Sequence, residues 1–232
     1  MENEDIIINA KGIHKQFREH LVLDGLDFKI PAGQIYAICG KNGSGKSVFL
    51  RILTGLMFPS SGKVTIFNQS IGSDVEFPSS TGALIDHPGF LLNESGKRNL
   101  QLLAKISGKV TPEKIDETMR FVGLEPDDRK PFKTYSVGMR QRLGLAQAIM
   151  EDPDLLILDE PTAGLDFDGQ REIYEYLIEL RNQGKTILIT SHSQGEITLL
   201  CDKAFLLKDG KLDLLSDIQA EDFEVEPDDS RV

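Results

Sequence analysis

Long apolar runs are missing from this 232-residue chain. Stretches such as Leu155-Leu156-Ile157-Leu158 fall far short of the ~20 apolar residues that a membrane helix needs. The opening Met1-Glu2-Asn3-Glu4-Asp5 is acidic, where a secretory signal would be basic and then apolar. The chain is therefore expected neither to cross a membrane by itself nor to be exported by that route. Cysteine is scarce as well. Cys39 and Cys201 cannot make a disulfide framework, and neither stands in a metal-binding spacing, so both read as small core residues. A basic balance is also lacking, with 26 Lys and Arg against 37 Asp and Glu and a net charge of −11. Proteins that grip duplex nucleic acid through its phosphates show a basic face, so a nucleic-acid partner is not expected. There is no internal repeat and no low-complexity linker.

What is present is ordinary globular composition, 40% hydrophobic and 27% charged. A chain of this length buries about 70% or more of its unfolded surface. Ile6-Ile7-Ile8, Leu21-Val22-Leu23 and Leu26 to Ile30 alternate with period two, broken by Lys-Gly and Asp-Gly, and predict antiparallel strands. Ile35 to Cys39 is a short apolar run, and Ser47 to Leu56 has helical spacing. Residues from about 88 to 150 read as mostly helical. Thr111-Pro112 makes an N-cap followed by Pro at the first helical position, and Ser136 could cap a further helix. Leu155 to Leu158 and Thr186 to Thr190 read as buried parallel strands, with a helix carrying Ile173, Leu177 and Leu180 between them. Ala204 to Leu207 and Leu212 to Leu215 flank Asp209-Gly210, a hairpin turn. The expected fold is α/β: a phosphate-loop NTPase core with a parallel sheet, an N-terminal antiparallel layer and an inserted helical subdomain. One domain is expected over 1–232. Its end, from about 217 to 232, is an acidic tail that reads as a solvated, frayed segment.

Gly40-Lys41-Asn42-Gly43-Ser44-Gly45-Lys46-Ser47 fits G-x-x-x-x-G-K-S/T. At average residue usage a match arises by chance in about one chain of this length in a hundred, and here a strand precedes it and a helix follows. The glycines let successive backbone N–H groups converge on one anion, with the positive helix end behind them. Lys46 would reach the β and γ phosphates, and the Ser47 hydroxyl would ligate Mg²⁺. The competing reading is a glycine-rich turn with an incidental lysine. Leu155 to Leu158 ends in Asp159-Glu160. Asp159 at a strand's carboxyl end can hold the magnesium shell, and Glu160 could take a proton from an attacking water. Both could equally be acids at a sheet rim. His192, just past the strand Thr186 to Thr190, is placed to touch a γ-phosphate, although a lone histidine is usually a surface or core residue.

With Tyr135-Ser136-Val137-Gly138-Met139-Arg140-Gln141-Arg142 added, the chain resembles the ATP-binding subunits of ABC transporters over residues 5 to 215. That segment looks like the family signature, usually LSGGQ followed by Q/R-Q-R. The order of phosphate loop, signature, Asp-Glu strand, Gly164-Leu165-Asp166 and Ser191-His192 is the family's own. The resemblance implies ATP and Mg²⁺ as ligands, and hydrolysis coupled to transport. It implies separate membrane permease subunits docking near Asp86 to Asn99, and a location on the cytoplasmic, inner face of the cell membrane. It also implies a second cassette, in a homodimer that sandwiches ATP head to tail. Ser136 and Gly138 would then bind the γ-phosphate held by the second copy, and Asp166 would belong to the nucleotide site. Phe17 would stack on adenine, the alternative being an ordinary core Phe. Val137 and Met139 depart from the signature. Asp86 stands where the family has a glutamine, and would meet Mg²⁺ through a water. Gly-x-Leu-Ile-acid-x-Pro-Gly followed by Asn93 and Asn99-Leu100 looks like the bacitracin/lantibiotic-type antimicrobial-peptide exporters. Alternatives are a soluble ABC ATPase of DNA repair or translation, which would be a tandem cassette or carry long coiled coils, and a nucleotide-gated clamp, which would lack Glu160 or His192. A small-molecule kinase would leave the signature unexplained.

Overall fold

The computed structural model describes residues 5–86 and 89–215. The acidic tail and the His87-Pro88 step that follows Asp86 lie outside the described residues. The chain divides into two compact units, one of Met1–Pro78 with Leu188–Val232 and one of Ser79–Ile187.

In the first unit β1 (Ile6–Phe17) pairs antiparallel with β2 (His20–Pro31) and with β4 (Ser61–Ile66), and β5 (Gln69–Ser70) follows β4 at the edge. The Lys11-Gly12 and Asp24-Gly25 steps do not end strands, contrary to the expectation from sequence. Both glycines take positive φ, 58° and 68°, and the register shifts between Ala10 and Ile13. The Gly12 N–H donates to the Asp27 carboxylate at 2.7 Å, so the extra residues are absorbed as bulges and each strand runs on for 12 residues. A second sheet carries β3 (Ile35–Cys39) parallel to β9 (Lys203–Lys208), with β10 (Lys211–Leu214) antiparallel outside it. Asp209 and Gly210 both have positive φ, 50° and 76°, the left-handed pair that a two-residue hairpin turn requires. The helix α1 (Lys46–Leu53) packs its Phe49 edge-on to Phe28 of β2, at 5.5 Å between centroids, and Phe28 meets Phe205 of β9 at 5.0 Å. Three aromatic rings thus join the antiparallel layer, the helix and the parallel strands. The strand β8 (Thr186–Ser191) contributes its last four residues to this unit and leads into the short helix α6 (Gln194–Leu200).

The second unit holds β6 (Thr81–Leu84) parallel to β7 (Leu155–Leu158) in register Gly82 to Leu156. Its helices are α2 (Gly96–Ser107), α3 (Pro112–Phe121), α4 (Val137–Ile149) and α5 (Phe167–Asn182). Each begins at a side-chain cap: Ser95, Thr111, Ser136 and Asp166 accept from the backbone N–H three residues on. The Arg142 guanidinium of α4 donates to Val122 O, to the Tyr176 hydroxyl and to the Glu172 carboxylate, tying α4 to the end of α3 and to α5. Asn99, 3% exposed, gives Nδ2 to Leu91 O and Ser95 O and takes the Leu91 N–H. That amide fixes the loop before α2 and leaves Leu91 and Leu92 exposed.

Gly82 is in extended conformation, yet a Cβ there would lie 1.9 Å from Ala148 O and 2.9 Å from Pro153 Cγ. The strand passes the end of α4 closer than any side chain permits. Gly82→Ala should cost about 1–3 kcal/mol through a forced backbone shift. Thermal unfolding measures it, and an unchanged midpoint would show that the end of α4 yields freely.

Candidate phosphate-binding and catalytic elements

The first unit holds the phosphate loop, Phe17 and His192. Strand β3 is fully buried and ends at Cys39, where Gly40 turns the chain with φ 144°. A Cβ on Gly40 would sit 2.4 Å from Leu207 O, so only glycine lets the loop leave β3 alongside β9. Gly45, φ 105°, precedes α1 and passes so close to Val22 that a Cβ would be 2.9 Å from its Cγ1. Gly43, φ 79°, has open space around it. Lys46 is 5% exposed, and its ammonium donates to Gly40 O at 2.7 Å and to Lys41 O at 3.3 Å. The Ser44 N–H closes the loop on Lys41 O at 3.1 Å. The buried Ser44 hydroxyl has no hydrogen-bond partner. The first turn of α1 carries no acid. A buried cation, an unsatisfied hydroxyl and a positive helix end on one loop suit a phosphate. A cavity of about 490 Å³ opens beside Lys41 to Ser44, bounded by His20 to Val22 and by Leu206 to Gly210.

Ser47, half-buried in the first turn of α1, offers one hydroxyl. Among the described residues no cluster of three or more His, Cys, Asp and Glu could hold a metal. Mg²⁺ keeps waters and takes one or two protein oxygens beside substrate phosphates, so a hydroxyl and a single carboxylate are a fitting donor set. Phe17, at the end of β1, is 43% exposed, which removes the core reading, and the Lys15 ammonium lies 5.0 Å from its ring centre. His192 is half-buried directly after β8. Neither cysteine takes part. Cys39 donates to Phe205 O, and burial, then the charge of Glu196, push the Cys201 thiol up.

The second unit holds Asp86, Ser136, Gly138, Asp159, Glu160 and Asp166. Strand β7 is buried to Leu158, and the Asp159 N–H donates to Leu84 O at 2.7 Å. Glu160 is held in the left-handed region at φ 45°, a conformation uncommon outside glycine. Its carbonyl accepts from Gln141 Nε2 at 3.0 Å and from Ala163 N at 3.1 Å. Sequence reasoning missed this role of Gln141, although it stands inside the signature segment. The signature and the Gly164-Leu165-Asp166 turn come together. A Cβ on Gly138 would touch Leu165 at 3.4 Å, and one on Gly164 would meet Val137 at 3.1 Å. The Ser136 hydroxyl caps α4 through Met139 N, and the Asp166 carboxylate caps α5 through Gly169 N at 2.9 Å. Asp86 is exposed and left-handed, φ 57°.

The tight passage at Gly40 makes a measurable prediction. Gly40→Ala adds a methyl against a backbone oxygen and strains a positive φ, an effect of about 1–3 kcal/mol. ATP affinity, read by titration with a fluorescent analogue, should fall about tenfold. Unchanged affinity would mean that the loop tolerates a different path out of β3.

The profile of the family described as ABC transporter matches residues 23–163. An ABC transporter ATP-binding protein of Bacillus subtilis, YhcH, is 40% identical over 220 residues, covering 94% of this chain and 72% of its own. The bacitracin transport ATP-binding protein BcrA of Enterococcus faecalis is 39% identical, covering 90% and 68%. The lantibiotic transport ATP-binding protein SrtF of Streptococcus pyogenes is 35% identical, covering 89% of each chain. Among solved structures, a nucleotide-free ATP-binding cassette from an ABC transporter superposes with a TM-score of 0.78 at 23% identity, covering 89% of each chain. The cbiO1 protein of Clostridium perfringens, part of the ABC transporter complex cbiONQ, gives 0.76 at 29% identity, covering 90% and 87%. The phosphate loop, the signature helix and the Asp-Glu strand thus stand in a chain that belongs to the ABC transporter family, as one of its ATP-binding, ATP-hydrolysing subunits.

Proposed function

We propose that this chain powers the export of an antimicrobial peptide through separate membrane permease subunits, working as a single ATP-binding domain on the cytoplasmic face of the membrane. The cargo class rests on the bacitracin and lantibiotic transport relatives. No helix among the described residues is long and apolar enough to cross a membrane; in this reading the permease subunits carry the path for cargo. The exposed Leu91 and Leu92, held up by Asn99, offer the permease an apolar contact. The net charge of −11 supports the absence of a nucleic-acid partner.

In this reading Lys46 and the N–H groups of Gly40 to Ser47 hold the β and γ phosphates, and Phe17 stacks on adenine. Ser47 and Asp159 hold Mg²⁺, with Asp86 reaching it through water. Bound Mg²⁺ supplies charge neutralisation at the phosphates. Glu160 takes the proton of the attacking water, and His192 contacts the γ-phosphate. Ser136, Gly138 and Asp166 serve the nucleotide of a second copy, giving a head-to-tail homodimer. The observation that carries the reading is the loop itself, a buried Lys46 ammonium and an unpartnered Ser44 hydroxyl at the start of α1.

Lys46→Ala removes the loop's buried cation, and ATP turnover should disappear. Wild-type turnover in that variant would overturn the reading. Glu160→Gln keeps the side chain's shape but cannot accept the proton, a role typically worth 10²–10⁴-fold in rate. ATP should still bind, and gel filtration with ATP should show a lasting dimer where the wild type is mainly monomer. Turnover at the wild-type rate would remove Glu160 from the role of base.

A further inference from the structure

Among the described residues few charged side chains are fully buried, and Glu196 is one of them at 4% exposure. It lies in α6, four residues past His192, and none of the roles above uses it. Its carboxylate accepts from the Ser191 hydroxyl at 2.5 Å. Ser191, itself 2% exposed, is the last residue of β8. The same Ser191 oxygen accepts the Ser193 N–H at 3.0 Å, and the Ser193 hydroxyl accepts the Glu196 N–H at 3.4 Å. The residues on both sides of His192 are therefore tied to one another and to Glu196.

The direction of these bonds matters. An ionised carboxylate only accepts, so it commits the Ser191 proton to itself and leaves the oxygen's lone pairs for Ser193 N–H. Without the carboxylate, the hydroxyl's proton is left to its longer contact with Ser193 O at 3.5 Å, and the turn loses its tie to the α6 side chain. Burying a carboxylate is costly unless hydrogen bonds satisfy it, which makes its place beside His192 informative. We infer that Glu196 is a positioning residue for ATP hydrolysis: through Ser191 it sets the turn that aims His192. The inference rests on the reading of His192 as the γ-phosphate contact.

Turnover by the full chain tests it, with kcat and KM for ATP read separately. Misplacing a catalytic group by about 1 Å costs up to 10²-fold, so Glu196→Leu and Ser191→Ala should each lower kcat about tenfold with KM nearly unchanged. Glu196→Gln retains an acceptor oxygen of the same reach and should restore kcat to within about threefold of wild type. In a His192→Ala background, whose kcat is already low, Glu196→Leu should have no further effect. An equal loss in both backgrounds would make Glu196 a general structural residue and overturn the inference. Wild-type kcat in both Ser191→Ala and Glu196→Leu, alongside a slow His192→Ala, would overturn it while the reading of His192 stands. Wild-type kcat in His192→Ala would remove the reading and the inference together. Should Glu196→Leu fail to fold, Ser191→Ala deletes only one hydroxyl and carries the same expectation.

Discussion

The Lys46 ammonium, buried at the start of a helix, is the constraint that the phosphate loop is built around. A cation at that end of α1 faces the positive pole of the helix dipole, and burial strips it of water. The loop offsets both by turning the Gly40 and Lys41 carbonyls inward onto Nζ. Turning those carbonyls in requires the unusual backbone at Gly40, Gly43 and Gly45, where φ is 144°, 79° and 105°. Glycine at the first and last of these is demanded again by packing, since Leu207 O and Val22 crowd them. Charge, backbone conformation and packing therefore impose the same residue types. An anionic ligand completes the arrangement, because its charge lowers the electrostatic strain that Lys46 and the helix end share.

That convergence explains why the phosphate loop was legible in the sequence. Features that depend on neighbours in the chain were equally legible: the Thr111-Pro112 start of α3, the Ser136 cap of α4 and the turn at Asp209-Gly210. Features that depend on distant partners were not. Lys11-Gly12 and Asp24-Gly25 look like strand ends, and become bulges because Asp27 takes the Gly12 N–H and β2 continues alongside β1. Strand β4 escaped notice because its first three residues are exposed and only Val64 and Ile66 face the core. Helix α6 spans seven residues, too short for periodicity to speak. The burial of Glu196 is invisible in a string of letters, since nothing in Ser191 to Glu196 says that its one acid turns inward.

The site shows the same division. Ser136, Gly138 and Gly164 to Asp166 were picked out by resemblance to a family pattern, and in the structure Gly138 lies against Leu165 and Val137 against Gly164. The departure at Val137 is thereby accounted for in part. Its side chain rests on a glycine that has no Cβ to oppose it, and the residue as a whole is 57% exposed. Bulk at this position is absorbed within the unit rather than forced onto the Ser136 cap, which stays intact through Met139 N.

Gln141 carries that logic into the chemistry. Glu160 sits in a left-handed conformation that a non-glycine residue adopts only when its surroundings hold it there. Two donors do so, the Ala163 N–H from the turn that follows and the Gln141 amide from α4. The first is local and would form in any such turn. The second comes from the signature helix, so the backbone of the proposed base is set in part by a residue nineteen positions earlier in the chain. A shift of α4 along its axis would lengthen the Gln141 bond, which reaches Glu160 from another element. The left-handed strain would then favour relaxation of Glu160 away from its present direction. One amide thus ties α4 to the strained backbone of Glu160, as no residue adjacent to Glu160 in the chain could.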